Sequence, residues 1–189
     1  MIILKGKNIK IPEPCVLTVG KFESIHLGHQ ALINEMKNYP LPSALVVFDP
    51  HPHKLFANPD YKPLLTNQER AHLLAEMGID YLVEYPFTHD LTMLTPKEFC
   101  RILFDDLQAR IVIVGEGYRF GHNRTGTTET LRQYAQPAGV QVKILAPQQG
   151  KGGKISTSAI RALLSEGKIQ EAEALLGRSA FNLLIETQS

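Results

Sequence analysis

The apolar positions of this chain change period repeatedly, and the changes mark its elements. Residues 15–19, Cys-Val-Leu-Thr-Val, are a short β-branched run closed by Gly20, after which Ala31, Leu32, Ile33 and Met36 return at helical spacing. Strand, loop and helix follow one another there. Residues 43–48 read as a buried strand, and Asp49-Pro50-His51-Pro52-His53 continues neither element, because each proline removes a donor and fixes φ. Thr66 with Glu69 three residues on is a capping box ahead of the stripe Leu73, Leu74 and Met77, and Gly78 ends that helix. Thr95, Pro96 and Glu98 repeat the device for a helix to about residue 108. Strands at 81–85, 110–114 and 140–145, a short helix at 127–135 and a helix pair at 159–166 and 169–176 around Gly167 complete the pattern.

Five strands separated by helical segments predict an α/β domain with a mostly parallel five-stranded sheet and helices on both faces. In such sheets ligands sit at the carboxyl ends of the strands, near a topological switch point. The three unusual loops, at 20–29, 49–65 and 115–126, all follow strand carboxyl ends and so converge on one cleft. Residues 148–154 have three glycines and no apolar side chain, which predicts a mobile surface loop or a lid. With no internal repeat and no linker, residues 1–189 are read as one domain.

Composition narrows the function. A chain of 189 residues that is 43% hydrophobic and 21% charged is that of an ordinary globular domain. A net charge of +1 without runs of like charge gives no electrostatic footprint for nucleic acid, so small molecules are the expected partners. No stretch is long and apolar enough to span a bilayer, and residues 1–10 lack the pattern of a secretory leader, so a cytoplasmic, non-membrane protein is expected. Cys15 and Cys100 fall in neither paired nor metal-ligand spacing and are read as reduced core residues.

The candidate chemistry lies in His26-Leu27-Gly28-His29, at the junction of loop and helix. Unpaired N–H groups and the positive end of the helix dipole favour an anion there, and Gly28 lets a phosphate approach the backbone. A helix-start metal pair and two solvated side chains are the alternatives for this spacing. Near the other end of the chain, Ser156, Thr157 and Ser158 open a helix, where hydroxyls either cap the backbone or hold phosphate oxygens. Arg161, one turn in, is positioned to lean back over them as an anion clamp.

The His-x-Gly-His spacing resembles the signature of the nucleotidylyltransferase superfamily. Further pieces are residues 48–52, Leu64-Leu65-Thr66, residues 114–121, residues 155–161 and Leu175-Leu176-Gly177-Arg178. In this order they are similar to the adenylyltransferase (FAD synthetase) domain of the bacterial bifunctional riboflavin kinase/FMN adenylyltransferase family, over residues 16–178. The resemblance implies a Rossmann-like nucleotidylyltransferase fold, ATP and FMN as substrates, Mg²⁺ as the metal, and FAD and pyrophosphate as products. It implies that His26 and His29 bind the ATP phosphates and stabilise the transition state, with Gly20, Phe22 and Gly28 shaping their loop. Ser156, Thr157 and Arg161 are implied to hold the triphosphate from the other side. Gly115, Tyr118, Phe120 and Gly121 are implied to border the nucleotide and flavin pockets, and Pro50, His51 and Pro52 to lie on the substrate side.

Three departures from the family pattern bear on activity. Phe-Asp-Gly is replaced by Phe22-Glu23-Ser24, which strains the loop if Ser24 has positive φ. The Gly-x-Asp/Asn-Phe element is replaced by Gly115-Glu116-Gly117-Tyr118, and Ser-Ser-Thr-Arg by Ser156-Thr157-Ser158-Ala159. The family's kinase domain would begin soon after Arg178, where residues 179–189 leave no room for it, so that domain is expected to be absent. Beside an active FMN adenylyltransferase stand two alternatives: a flavin- or nucleotide-binding module, favoured by Glu23, Ser24 and Gly117, and transfer to a different phosphate-bearing acceptor.

Overall fold

Successive residues of the inner strands face opposite sides of one sheet, and this alternation builds two cores. In the computed structural model, which describes residues 1–56 and 58–180, Leu17, Val46, Val83 and Val112 face one side, and Val16, Leu45, Leu82 and Ile111 face the other. The strands are β1 (Ile2–Lys5), β2 (Cys15–Val19), β3 (Ser43–Asp49), β4 (Tyr81–Pro86), β5 (Ala109–Gly115) and β6 (Gln141–Leu145). They pair in the order β1-β4-β3-β2-β5-β6, and every pairing is parallel. The α/β class holds. The sheet has six strands rather than five, because Ile2–Lys5 adds an edge strand that is mostly exposed and carries no buried alternation.

The helices are α1 (Leu27–Met36), α2 (Pro52–Phe56), α3 (Asn67–Glu76), α4 (His89–Met93), α5 (Pro96–Arg101), α6 (Thr128–Ala135), α7 (Thr157–Ser165) and α8 (Ile169–Leu176). Ile33 and Met36 of α1, Leu74 of α3, Ile160 of α7 and Leu176 of α8 share one core, whereas Phe99 of α5 and Leu131 of α6 belong to the other. Both capping boxes form: Thr66 and Thr95 each accept from the N3 backbone while Glu69 and Glu98 bond back to them. After α5 the chain widens into a π-helical turn at Ile102–Asp106, so the helix expected to reach residue 108 changes hydrogen-bond register after Arg101. The single turns α2 and α4 lie where the sequence reading had loop. Residues 148–154, expected to be a loop or lid, hold a hairpin of β7 (Gln149–Gly150) and β8 (Gly153–Lys154).

The order of the sheet sets the site. From β2 the chain proceeds outward through β3 and β4 on one side, and from β5 to β6 on the other. The switch point therefore lies between β2 and β5, whose carboxyl ends are Val19, directly before Gly20, and Gly115.

Candidate active site

Gly20 follows β2 in a position that excludes a side chain: a Cβ there would lie 2.9 Å from the Phe22 ring. The chain then turns sharply, with Phe22 (φ 48°) and Ile25 (φ 44°) both in the left-handed region and both buried. The strain thus falls on these two residues and not on Ser24. Burial of the two side chains holds the turn in place. It delivers His26 to the N-cap of α1, where its Nδ1 accepts from the His29 backbone N–H at 3.3 Å. Because Nδ1 accepts, Nε2 carries the ring proton. The His26 and His29 rings stack with centroids 3.8 Å apart and planes 14° from parallel. A Cβ on Gly28 would lie 3.0 Å from Cε1 of His26, so this glycine makes room first for the imidazole.

Burial lowers both histidines, His26 to about 4 and His29 to about 3, and each also feels a neighbouring positive group, Arg178 for His26 and protonated His26 for His29. At pH 7 the pair is neutral. Nδ1 of His29 is buried without a hydrogen-bond partner among the described residues, a polar atom left over at the mouth of a helix N-terminus.

The second wall comes from α7. Ser156 is its N-cap, accepting from the Ala159 N–H at 3.2 Å, and Oγ1 of Thr157 lies 2.9 Å from Oγ of Ser24. The histidine loop and the hydroxyl segment, 133 residues apart in sequence, are joined by that bond. Arg161 is engaged elsewhere. Its Nε lies 3.6 Å from Oε1 of Glu23, its guanidinium sits 4.8 Å above the Tyr61 ring, and Nη2 donates to the Lys62 carbonyl.

Glu23, 3% exposed, is the hub of this arrangement. Tyr61 donates its hydroxyl at 2.8 Å, and Nε2 of His51 lies 2.9 Å from Oε2. Burial pushes the Glu23 carboxyl up, but the close His51 imidazole, the Tyr61 hydrogen bond and the charge of Arg161 outweigh it, leaving the group below its ordinary value. Tyr61, held by burial and by the carboxylate, is pushed up to about 12. His51, 5% exposed, is thus part of a buried network with Glu23.

Two further residues support the loop from behind. Arg178 donates to the Ser24 carbonyl at 2.7 Å and to the Ile25 carbonyl at 3.1 Å, and Nε2 of Gln30 bridges the Ile25 and Leu176 carbonyls at 3.0 and 2.7 Å. Through them the end of α8 is fastened to the histidine turn. Sequence reasoning had Arg178 in a motif without a role and passed over Gln30 and Tyr61. The only available signal was a cation and an amide with no partner at helical spacing.

Beside the histidine loop opens a cavity of about 850 Å³, within the usual size of small-molecule sites. Gly20, Pro52, Tyr118, Phe120 and Gly121 all line it, and Gly115 ends the strand beneath it. Phe48, which opens the 48–52 piece, and Phe87 and Phe99, which the sequence reading did not single out, complete an aromatic wall in which Tyr118 stacks on Phe120 with centroids 5.4 Å apart. Pro50, His51, Phe22 and Gly28 stand outside this lining, the last two within the histidine turn. The expected residues therefore form two neighbouring groups, a polar one around His26, His29, Ser156 and Thr157 and an aromatic one around Tyr118 and Phe120. Residues 20–21 lie between them.

A parallel sheet with a histidine pair at its switch point is the architecture of a nucleotidyltransferase-like α/β protein. Among solved structures, pantothenate synthetase (pantoate-beta-alanine ligase) from Francisella tularensis shares this fold with a TM-score of 0.58 at 16% identity, covering 90% of this chain and 77% of that one. A structure from Streptococcus pneumoniae titled a macrolide-efflux protein matches with a TM-score of 0.84 at 29% identity, over 94% of this chain and 60% of that one. The chain belongs to the FAD synthetase family, whose sequence model matches residues 8–159. It is 32% identical to the FAD synthetase of Listeria monocytogenes over 167 residues, 86% of this chain and 68% of that protein. It is 33% identical to the bifunctional riboflavin kinase/FMN adenylyltransferase of Escherichia coli K12 over 171 residues, 87% of this chain. The chain spans 55% of that relative's length. No described helix is long and apolar enough to cross a membrane.

Proposed function

We propose that this chain is an FMN adenylyltransferase that transfers AMP from ATP to FMN, giving FAD and pyrophosphate. The observation that carries the reading is the pairing of an anion-ready histidine loop with an adjacent aromatic cavity: stacked neutral His26 and His29 beside a wall of Phe48, Phe99, Tyr118 and Phe120. A flat isoalloxazine suits the wall, and a triphosphate suits the loop.

In this mechanism an oxygen of the FMN phosphate attacks the α-phosphorus of ATP in line. The new P–O bond joins the two nucleotides as the bond from Pα to the β-phosphate bridging oxygen breaks, and pyrophosphate departs with that electron pair. No base is needed, because the FMN phosphate is already ionised near pH 7. His26 donates from Nε2 to a phosphate oxygen, and His29 supplies the second ring donor as charge grows on the leaving group. Ser156 and Thr157 fix the opposite side, and Arg161 reaches the phosphates by exchanging Glu23 for them. Mg²⁺ enters this reading with the triphosphate. The described residues contain no group of three or more His, Cys, Asp or Glu side chains able to hold a metal, and Mg²⁺ commonly keeps its waters and binds substrate phosphates. The small-molecule partners and a cytoplasmic setting belong to the same proposal.

The test is direct: purified protein with ATP, Mg²⁺ and FMN yields FAD and an equal amount of pyrophosphate, separated by chromatography. ATP and FMN binding without FAD at high protein concentration would favour the binding module instead.

A further inference from the structure

Two cations line the aromatic cavity beside the histidine loop, and among the described residues neither is in ion-pair contact with a carboxylate. Lys21 and Arg124 both line the cavity and both are exposed at its mouth. Among the described residues neither lies within 4.0 Å of an Asp or Glu oxygen, whereas Arg70, Lys5 and Arg161 each do. The two feel each other: Lys21 titrates below an ordinary lysine because burial disfavours its charge and Arg124 opposes it, only partly offset by Glu23. Both are also presented by unusual backbone. Asn123 and Arg124 occupy the left-handed region in succession, at φ 52° and 58°, and Lys21 directly precedes Phe22 at φ 48°. Non-glycine residues enter that region at a cost, and such positions cluster at ligand sites.

Like charges converging over an aromatic pocket define an anion on a flat ring. Resting on the reading of this chain as an FMN adenylyltransferase, we propose that Lys21 and Arg124 form the subsite for the acceptor's phosphate and select a phosphorylated aromatic acceptor over its unphosphorylated parent. The position suits the chemistry. Lys21 follows Gly20 at the end of β2 and leads into the turn that carries His26, so a phosphate held there lies on the path from the aromatic wall to the histidine pair. Arg124 approaches from the loop after β5, on the other side of the switch point. The nucleophile is thereby gripped at one end while its ring is held at the other.

Equilibrium titration of FMN and of riboflavin, followed by flavin fluorescence, separates this role from general support of the cavity. Native protein is expected to bind FMN at least about tenfold more tightly than riboflavin, since each charge-assisted contact contributes about a factor of ten. Lys21→Met and Arg124→Met should each weaken FMN about tenfold and leave riboflavin within about twofold, and Lys21→Arg should keep the preference. The exposure of both side chains leaves folding intact. Equal losses for both flavins, or a preference unchanged in both Met variants, would overturn the subsite. Native protein that binds both flavins equally would overturn it while leaving the proposed function standing, and native protein that binds neither would remove both.

Discussion

Arg178 offers a sharp measure of how far the histidine turn depends on its support. Removing its side chain by Arg178→Ala deletes the donors to the Ser24 and Ile25 carbonyls, at 2.7 and 3.1 Å. The two losses are unequal. The Ile25 carbonyl still accepts from Gln30 at 3.0 Å, whereas the Ser24 carbonyl keeps no other partner among the described residues. Hydrogen bonds from a charged group are each worth about 1.5–3 kcal/mol, so one full loss and one partial loss should destabilise the protein by about 2–4 kcal/mol. In a chain of this size that lowers Tm by about 5–15 °C. The same turn fixes the stacked imidazoles, so turnover should fall about tenfold or more while flavin binding in the neighbouring cavity changes little. Scanning calorimetry and steady-state FAD formation measure the two effects, and Arg178→Lys, with one donor restored, should fall between native and Ala. A Tm within about 1 °C of native together with full turnover would refute the reasoning, because the turn would then hold its shape unaided.

Acidification should expose the two histidines. Their folded-state values, about 4 and about 3, lie below the ordinary 6.5, so the unfolded chain binds more protons and stability falls as pH drops from about 6.5 toward 4. For His26 this amounts to about 3 kcal/mol by pH 4. Glu23, held below its ordinary value, acts with the same sign: its contribution is present above the unfolded pKa and is lost as pH falls through the folded one. Thermal melts across this range should therefore be less pH-sensitive in His26→Gln/His29→Gln than in native protein, and equal slopes would contradict the burial argument. Gly121 and Gly139 make a matched pair. Both have positive φ, 70° and 67°, but a Cβ on Gly121 would lie 2.8 Å from the Pro96 backbone nitrogen and one on Gly139 meets nothing within 4 Å. Gly139→Ala should cost about 1 kcal/mol and Gly121→Ala about 2–4 kcal/mol with weakened flavin binding; equal melting shifts would show the contact is not felt.

The elements that the sequence made legible are those whose signal is local. Val16 and Leu17, Leu45 and Val46, and Leu82 and Val83 alternate between two cores, and their runs are bounded by glycine, proline or capping threonines. The edge strand Ile2–Lys5 escaped because exposed residues on a sheet edge leave no alternation to read. Single turns such as His89–Met93 are too short to show a helical period. His26 and His29 were singled out by their spacing and the turn before a helix, and Tyr118 and Phe120 only through the family resemblance. Glu23 was read as a departure in length, whereas its longer reach meets Tyr61, 38 residues away, in a contact no local pattern encodes. Arg161 was placed by helical geometry over the hydroxyls, but side-chain direction within one turn is decided by the partner, here Glu23 and the Tyr61 ring.

In the proposed reaction the neutral histidine pair stabilises charge on departing pyrophosphate during transfer to FMN. Single-turnover FAD formation from ATP, Mg²⁺ and FMN by native protein and by His29→Ala isolates that step. A fall of about a hundredfold or more in the transfer rate, with ATP affinity within a few fold and the melting transition retained, is the predicted result, as expected for loss of one preorganised donor. An unchanged transfer rate in His29→Ala would mean that this imidazole takes no part in stabilising the leaving group.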